Sequence, residues 1–338
     1  MITIKDIAKK LGLNFSTVSR ALNNKPGVSE KTRKLVVETA KKMGYRPNTI
    51  ARGLVTRSTK TIAVIFPDIL NPVFGEITTG IIETSTENNY DVFLCISNWD
   101  SKKELEFMQA VQQKQVDGII INFVDNKNAA FFDNNSIPAV GFESWLATKN
   151  ICSVSTDNFK GGYLAAKHLI QAGYKHPAVI SGPTTSAASV ERNEGFTQAC
   201  LENDIDFDQS KIYIGRFNIT SGVELTKKLL SEHPEIDSIF SNNDVIAFGV
   251  LDYLHEKNIK VGKEIGLIGF DNIRFSGLHQ IQLSSINQPK EGIGKILSNL
   301  LFEQIRNDMD HIQEPPRRIL LEPTLISRMT TDKNEHPF

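Results

Sequence analysis

A small all-α head carrying a helix-turn-helix, followed by a larger α/β core with two parallel-sheet subdomains, is the fold class predicted by the 338-residue sequence. Three observations predict it. Apolar residues recur at helical spacing through residues 4–43. Short β-rich apolar runs then alternate with helical stretches, in two successive sets. The charge is also split: residues 1–60 carry 14 Lys and Arg against 3 acids, a net of +11, whereas the remainder carries 24 against 36, a net of −12. A basic module on an acidic body is the footprint of local contact with nucleic acid, because the body repels polyanions that the module attracts.

In the head, Ile4, Ile7, Ala8 and Leu11 form one apolar stripe at spacings of three and four. Gly12 suits the positive φ of a tight turn, and Asn14 is placed to cap the next helix. Val18 and Leu22 anchor that second helix and leave Ser16, Thr17, Ser19, Arg20 and Asn23 on its open side. Pro26-Gly27 ends it, Ser29 can cap a third helix carrying Leu35, Val36, Ala40 and Met43, and Gly44 closes it. Two short helices about a glycine turn, the second polar outside, are helix-turn-helix geometry.

Asn48 can cap one or two turns over residues 49–55. That length lies far below the ~12–15 residues an isolated helix needs, so this segment reads as a conditional linker.

From residue 61 the period changes. Apolar runs at 62–66, 92–96, 118–123 and 139–142 predict strands, with helices over 74–89 and 102–114 between the first three. A second set follows, with strands at 178–181, 212–214, 236–241 and 265–270 and helices over 159–172, 191–202, 221–231 and 245–256. A strand at 283–286, a helix over 290–306 and a strand at 318–321 complete the core, and the tail from Thr330 reads as frayed. Two βαβ sets imply two parallel sheets with right-handed crossovers.

The composition excludes other classes. No stretch approaches ~18 uncharged apolar residues, so no membrane span is predicted. Charges at Lys5, Asp6, Lys9 and Lys10 interrupt what would be the apolar run of a signal peptide, which predicts a cytoplasmic protein. The cysteines Cys95, Cys152 and Cys200 lack metal-ligand spacing and read as small buried apolar residues. Seven histidines form no metal-binding pair, and no nucleophile-elbow, P-loop or dinucleotide-binding string occurs. A non-enzyme without cofactor is expected.

The string TIKDIAKKLGLNFSTVSRALN at 3–23, with GYRPN at 44–48 and ARGL at 51–54, closely resembles the lactose-repressor family of transcription regulators, which includes purine repressors and catabolite-control proteins. VDGIIIN at 116–122, GPTTSAASVERNEGF at 182–196, SNNDVIAFGV at 241–250, IGFDN at 268–272 and QPK at 288–290 match in the family's order and spacing. The resemblance implies a DNA-binding head over 1–46, a hinge helix over 47–59, and a core over 60–330 like the periplasmic sugar-binding proteins, with a tail at 331–338. The core would cross three times between an N-subdomain (about 60–157 and 288–322) and a C-subdomain (about 158–287).

The same resemblance implies a sequence-specific DNA-binding transcriptional regulator, acting as a homodimer on a pseudo-palindromic double-stranded operator. It would repress a sugar-utilisation operon under control of a sugar or sugar phosphate between the subdomains. The alternative is a catabolite-control-type regulator that responds to a partner protein.

Family matching assigns site residues. Phe15, Ser16 and Arg20 would face base edges, with Thr17, Ser19, Asn23 and Tyr45 nearer phosphates, since short polar side chains and one arginine suit the major groove. Leu54 would wedge between central base pairs from the minor groove. In the core, Arg192, Asn243 and Asp271 would bind effector hydroxyls, Phe74 and Phe217 would form aromatic walls, and Glu143 and Asp157 would add acceptors. Ser186 stands near where purine repressors use an arginine on the base, which argues against a purine.

Overall fold

Why the head folds where it does is set by its caps. The computed structural model describes residues 2–45, 58–133, 135–143, 151–309, 312 and 314–333. Helix α1 (Ile4–Leu11) begins with a reciprocal cap: the Asp6 amide donates to Thr3 Oγ1 while Asp6 Oδ2 accepts from the Thr3 amide at 2.8 Å. Gly12, at φ +65°, turns the chain into α2 (Phe15–Leu22). Asn14 occupies the cap position, but its side chain makes no capping bond; its carbonyl alone receives the Thr17 and Val18 amides. Ser29 does cap α3 (Glu30–Lys42), accepting from the Thr32 amide at 3.2 Å. Ile7, Ala8, Val18, Ala21, Val36 and Ala40 form the head's core, whereas Leu35 on α3 is half exposed. The predicted hinge, including Leu54, lies largely outside the described residues.

The core from Lys60 onward forms a unit separate from the head. Its first lobe holds a sheet in the order β11-β5-β4-β3-β1-β2, with β1 (Thr61–Phe66), β2 (Asp91–Ile96), β3 (Gly118–Ile121), β4 (Ala139–Phe142), β5 (Cys152–Thr156) and β11 (Arg318–Leu321), all parallel. Helices α4 (Pro72–Glu87) and α5 (Ser101–Gln113) connect its early strands. The second lobe has the order β12-β10-β9-β8-β6-β7: β6 (Pro177–Ser181), β7 (Ile212–Ile214), β8 (Ser238–Ser241), β9 (Gly266–Asp271) and β10 (Ser284–Asn287), with β12 (Thr324–Ile326) antiparallel at the edge. Its helices are α6 (Asn158–Gln171), α7 (Ala187–Glu202), α8 (Ile219–Glu232) and α9 (Asp244–Glu256).

The chain passes between lobes after β5, after β10 and between β11 and β12. After the second passage, α10 (Lys290–Met309) lies on the first lobe and contributes Leu297, Leu300 and Leu301 to its core. Two strands escaped the apolar pattern. β5 reads CSVST and buries its serines and threonine; β12 is three residues long. The end of the core also differs from expectation. Thr330 and Thr331 are buried, and Thr330 Oγ1 donates to the Leu267 carbonyl and accepts from the Ser284 amide, so this segment is a clasp on β9 and β10. Cys152 and Cys200 are buried as expected, while Cys95 on edge strand β2 is half-buried.

Candidate nucleic-acid interface and ligand cleft

Helix α2 presents a polar face because its apolar positions, Val18 and Ala21, turn inward. Phe15, Ser16, Arg20 and Asn23 are exposed, with Phe15 leaving 53% of its surface to solvent, so its ring is not spent on the small core. Thr17 and Ser19 are half-buried along the same helix. Asn23 donates its amide to the Ser19 carbonyl at 2.9 Å, closing the helix end. Arg33 on α3 donates to the Ala21 and Lys25 carbonyls and so holds the C-terminus of α2 in place. Tyr45 packs on the head's core.

The core carries a second site. Six of the seven residues assigned to the effector, Phe74, Glu143, Arg192, Phe217, Asn243 and Asp271, line one cleft between the lobes that is partly open to solvent. The seventh does not. Asp157 accepts the Lys160 amide at 2.8 Å, making it the N-cap of α6 rather than part of the cleft lining. A carboxylate one residue before a helix is drawn to the amides that the first turn leaves unpaired, and here it takes that of Lys160.

Helix packing delivers Arg192. Glycines at the α6–α7 crossing bring the two backbones together: a Cβ on Gly162 would stand 1.9 Å from the Arg192 carbonyl oxygen, and one on Gly195 the same distance from that of Phe159. The Arg192 guanidinium is buried and its hydrogen bonds run to both sides. Nε donates to Asn158 Oδ1 at 2.9 Å and Nη1 to the Asn242 carbonyl at 2.6 Å. Nη1 stands 4.0 Å from Asp271 Oδ1.

Around it runs a closed circuit of polar groups. Asn158 donates to Glu143 Oε2 at 2.6 Å, the Thr156 amide to Glu143 Oε1 at 3.0 Å, Thr156 Oγ1 to Gln288 Oε1 at 2.6 Å, and Gln288 Nε2 to Asp271 Oδ1 at 2.5 Å. Burial pushes the Glu143 and Asp271 carboxyls up from their ordinary range, and the Arg192 charge opposes both shifts. Burial likewise lowers Arg192 itself, opposed first by Asp271 and then by Glu143. Behind the circuit, burial and then the Asp271 charge push Asp244 up to about 7.

The cleft also has aromatic walls and an open donor. Trp99 from the first lobe faces Phe217 from the second, ring centroids 5.5 Å apart. Phe74 packs on Phe66 at 5.1 Å and is 6% exposed, so it serves the first lobe's core as well as the cleft. Asn243 caps α9 through Oδ1, which accepts from the Ile246 amide at 2.9 Å. That leaves its buried Nδ2 with no hydrogen-bond partner among the described residues. An unpaired buried donor lining a cleft is costly unless a ligand or water completes it.

Sequence reasoning missed Trp99, Gln288 and Glu104. Glu104 is fully buried on α5 and accepts from the Val124 amide at 2.6 Å and from Asn128 Nδ2 at 2.7 Å, fixing the loop whose residues Phe123, Val124 and Asn126 line the cleft. Burial pushes its carboxyl up. The only signal for Glu104 was an acid on the buried side of an amphipathic helix.

A helix-turn-helix head joined to a two-lobed core with a polar, aromatic-walled cleft makes a DNA-binding regulator with a ligand-binding domain. The chain belongs to the lacI family of bacterial regulatory proteins: residues 3–48 match that family's head, and residues 59–328 match the description "Periplasmic binding proteins and sugar binding domain of LacI family". It is 33% identical to catabolite control protein A of Priestia megaterium over 94% of this chain and 97% of that one. It is also 33% identical to the transcriptional repressor PurR of Actinobacillus pleuropneumoniae, over 97% and 98%. Among solved structures, the transcriptional regulator CelR in complex with cellobiose is 26% identical with a TM-score of 0.73, over 98% of this chain and all of that one. No described helix is long and apolar enough to cross a membrane.

Proposed function

We propose that the protein is a repressor whose dimer binds a pseudo-palindromic operator and whose DNA affinity is set by a neutral sugar in the interlobe cleft. The observation that carries the ligand is the buried Asn243 Nδ2, without a partner among the described residues, in a cleft that Asp271 and Arg192 also line and Trp99 and Phe217 wall. Carboxylates and amides around a flat aromatic wall match a ring that offers hydroxyls at its rim and C–H groups on its face. Among the described residues, the charged side chains lining the cleft are Glu143, Asp271 and Arg192, and the cation is already committed to Asn158 and Asn242. A dianionic phosphate would meet two carboxylates with little compensation, so an unphosphorylated sugar is favoured over a sugar phosphate. The cellobiose complex of similar fold supports the class of ligand.

At the DNA, Phe15, Ser16 and Arg20 contact base edges, Thr17, Ser19, Asn23 and Tyr45 lie nearer phosphates, and Leu54 acts as the minor-groove wedge. Exposure of Phe15, Ser16 and Arg20 on one helix supports this reading.

A thermal-shift screen of pentoses, hexoses, disaccharides, their phosphates and nucleobases tests the ligand, since binding raises stability by about 2.7 kcal/mol at a hundred times the dissociation constant. A neutral sugar should give the largest shift, and Asp271→Ala should remove both that shift and the sugar's effect on operator affinity. Larger shifts from phosphates would overturn the neutral-sugar reading. No shift from any compound would favour response to a partner protein instead.

A further inference from the structure

Asp271 sits in a backbone conformation that side chains rarely adopt. Its φ is +101°, and the next residue, Asn272, is also left-handed at +47°. Neither is glycine, so neighbouring groups must hold this turn at the end of β9. Asn272 is restrained by its amide donating to Ser285 Oγ at 2.9 Å and by Arg328 Nη2 donating to its Oδ1 at 2.8 Å. The backbone carbonyls on this path are gathered by a single ammonium. Lys290 Nζ donates to the Asp271 carbonyl at 2.7 Å, to that of Asn272 at 2.9 Å and to that of Gln288 at 3.4 Å.

Lys290 is 7% exposed and opens α10, a helix of the first lobe, whereas Asp271 and Asn272 belong to the second. Its charge is balanced by Glu76 on α4, with Oε2 3.6 Å from Nζ. The other oxygen of that carboxylate accepts the Arg274 amide, two residues beyond the strained turn, at 3.2 Å. This first-lobe ion pair, buried at Lys290 and partly exposed at Glu76, therefore grips the second lobe's turn from both ends. Glu76 also lies two residues from Phe74, a wall of the cleft.

We infer that Lys290 is a positioning residue for the effector-site carboxylate of Asp271, and that the Lys290–Glu76 pair ties the placement of that carboxylate to the first lobe. The inference rests on reading the cleft as the effector site. A ligand that moves Asp271 must pull on Lys290 and Glu76, so cleft occupancy is felt at Glu76 on α4 through the turn as well as through the Phe74 wall.

Hydrogen exchange on the full chain, with no ligand present, tests the tie. Lys290→Met keeps the side-chain volume but removes the donors; Lys290→Arg keeps donors and charge. With Lys290→Met, peptides covering residues 270–276 and 72–79 should exchange about tenfold faster while β1 and β3 keep their protection, and Lys290→Arg should restore most of the difference. Equal behaviour of the Met and Arg variants would mean that Lys290 only fills space and would overturn the inference. So would a uniform rise across the core in Lys290→Met. A second arm titrates cellobiose and D-ribose as probes, with about a tenfold weaker dissociation constant expected in Lys290→Met for whichever binds the wild type. If neither binds the wild type, the effector reading loses support, while the exchange pattern still decides the role of Lys290.

Discussion

The guanidinium carbon of Arg192 stands 3.6 Å from the centroid of the Phe270 ring. Phe270 is the residue before Asp271 at the end of β9, so the strand that presents the acceptor also presents an aromatic face to the cation. Guanidinium groups are weakly hydrated and stack readily, so an arginine tolerates this burial where a lysine would not.

Removing that cation should be expensive. Arg192→Met leaves Glu143 and Asp271 buried with no nearby guanidinium, and breaking a buried pair costs about 3–5 kcal/mol. Urea unfolding followed by circular dichroism should show that loss, and Arg192→Lys should recover only part of it. A loss below about 1 kcal/mol would mean that the carboxylates find water or protons instead.

The α6–α7 crossing admits no side chain. Gly162→Ala puts a methyl group 1.9 Å from the Arg192 carbonyl oxygen, so the helices must separate. Overpacking of this kind costs about 1–3 kcal/mol. Because Arg192 moves with its helix, sugar affinity should fall as well, which calorimetric titration measures. Full affinity in this variant would show that the crossing adapts without moving Arg192.

Base reading by the head predicts a local change in preference. Arg20→Ala should relax discrimination at one base pair per half-site by about 1–3 kcal/mol, seen in a binding-site selection. Leu54→Ala should weaken specific binding more than non-specific binding, with a smaller bend in circular-permutation gels. The +11 charge of residues 1–60 predicts a steep salt dependence, and a core fragment from Lys60 onward should not retard DNA at any salt concentration.

Acid should loosen the clasp at the chain's end. His168 Nε2 and Thr331 Oγ1 are 2.7 Å apart, and burial holds the imidazole below its ordinary 6.5. Folding therefore favours the neutral ring. Its contribution is complete above about pH 6.5 and is lost as pH falls through the lower folded-state value, because the unfolded chain takes up the proton first. Comparing urea midpoints at about pH 7.5 and about pH 5.5 checks the sign: His168→Gln should lose less stability on acidification than the wild type. An equal loss would place the acid sensitivity elsewhere.

What the amino-acid order determined by itself is what local physics controls. The stripe Ile4, Ile7, Ala8 in α1, the Ser29 cap and the apolar strands β1, β3 and β9 all follow from period, capping and β-propensity within a dozen residues. The motifs that resemble the family added Arg192, Asn243 and Asp271, which periodicity could not have singled out. β5 stays hidden because its serines and threonine look like loop, yet all three are buried in the sheet and Thr156 joins the cleft circuit; Leu35 is half exposed because a helical period does not say which flank finds a partner.

Only the tertiary structure decided that Asp157 caps a helix while Glu143 closes the circuit, and that Trp99 meets Phe217 across the lobes. It also decided that Lys290 reaches back to a turn whose left-handed conformation no residue type announced. The reason is sequence distance: the chain crosses between lobes three times, and the partners it brings together lie up to hundreds of residues apart, where no periodicity couples them.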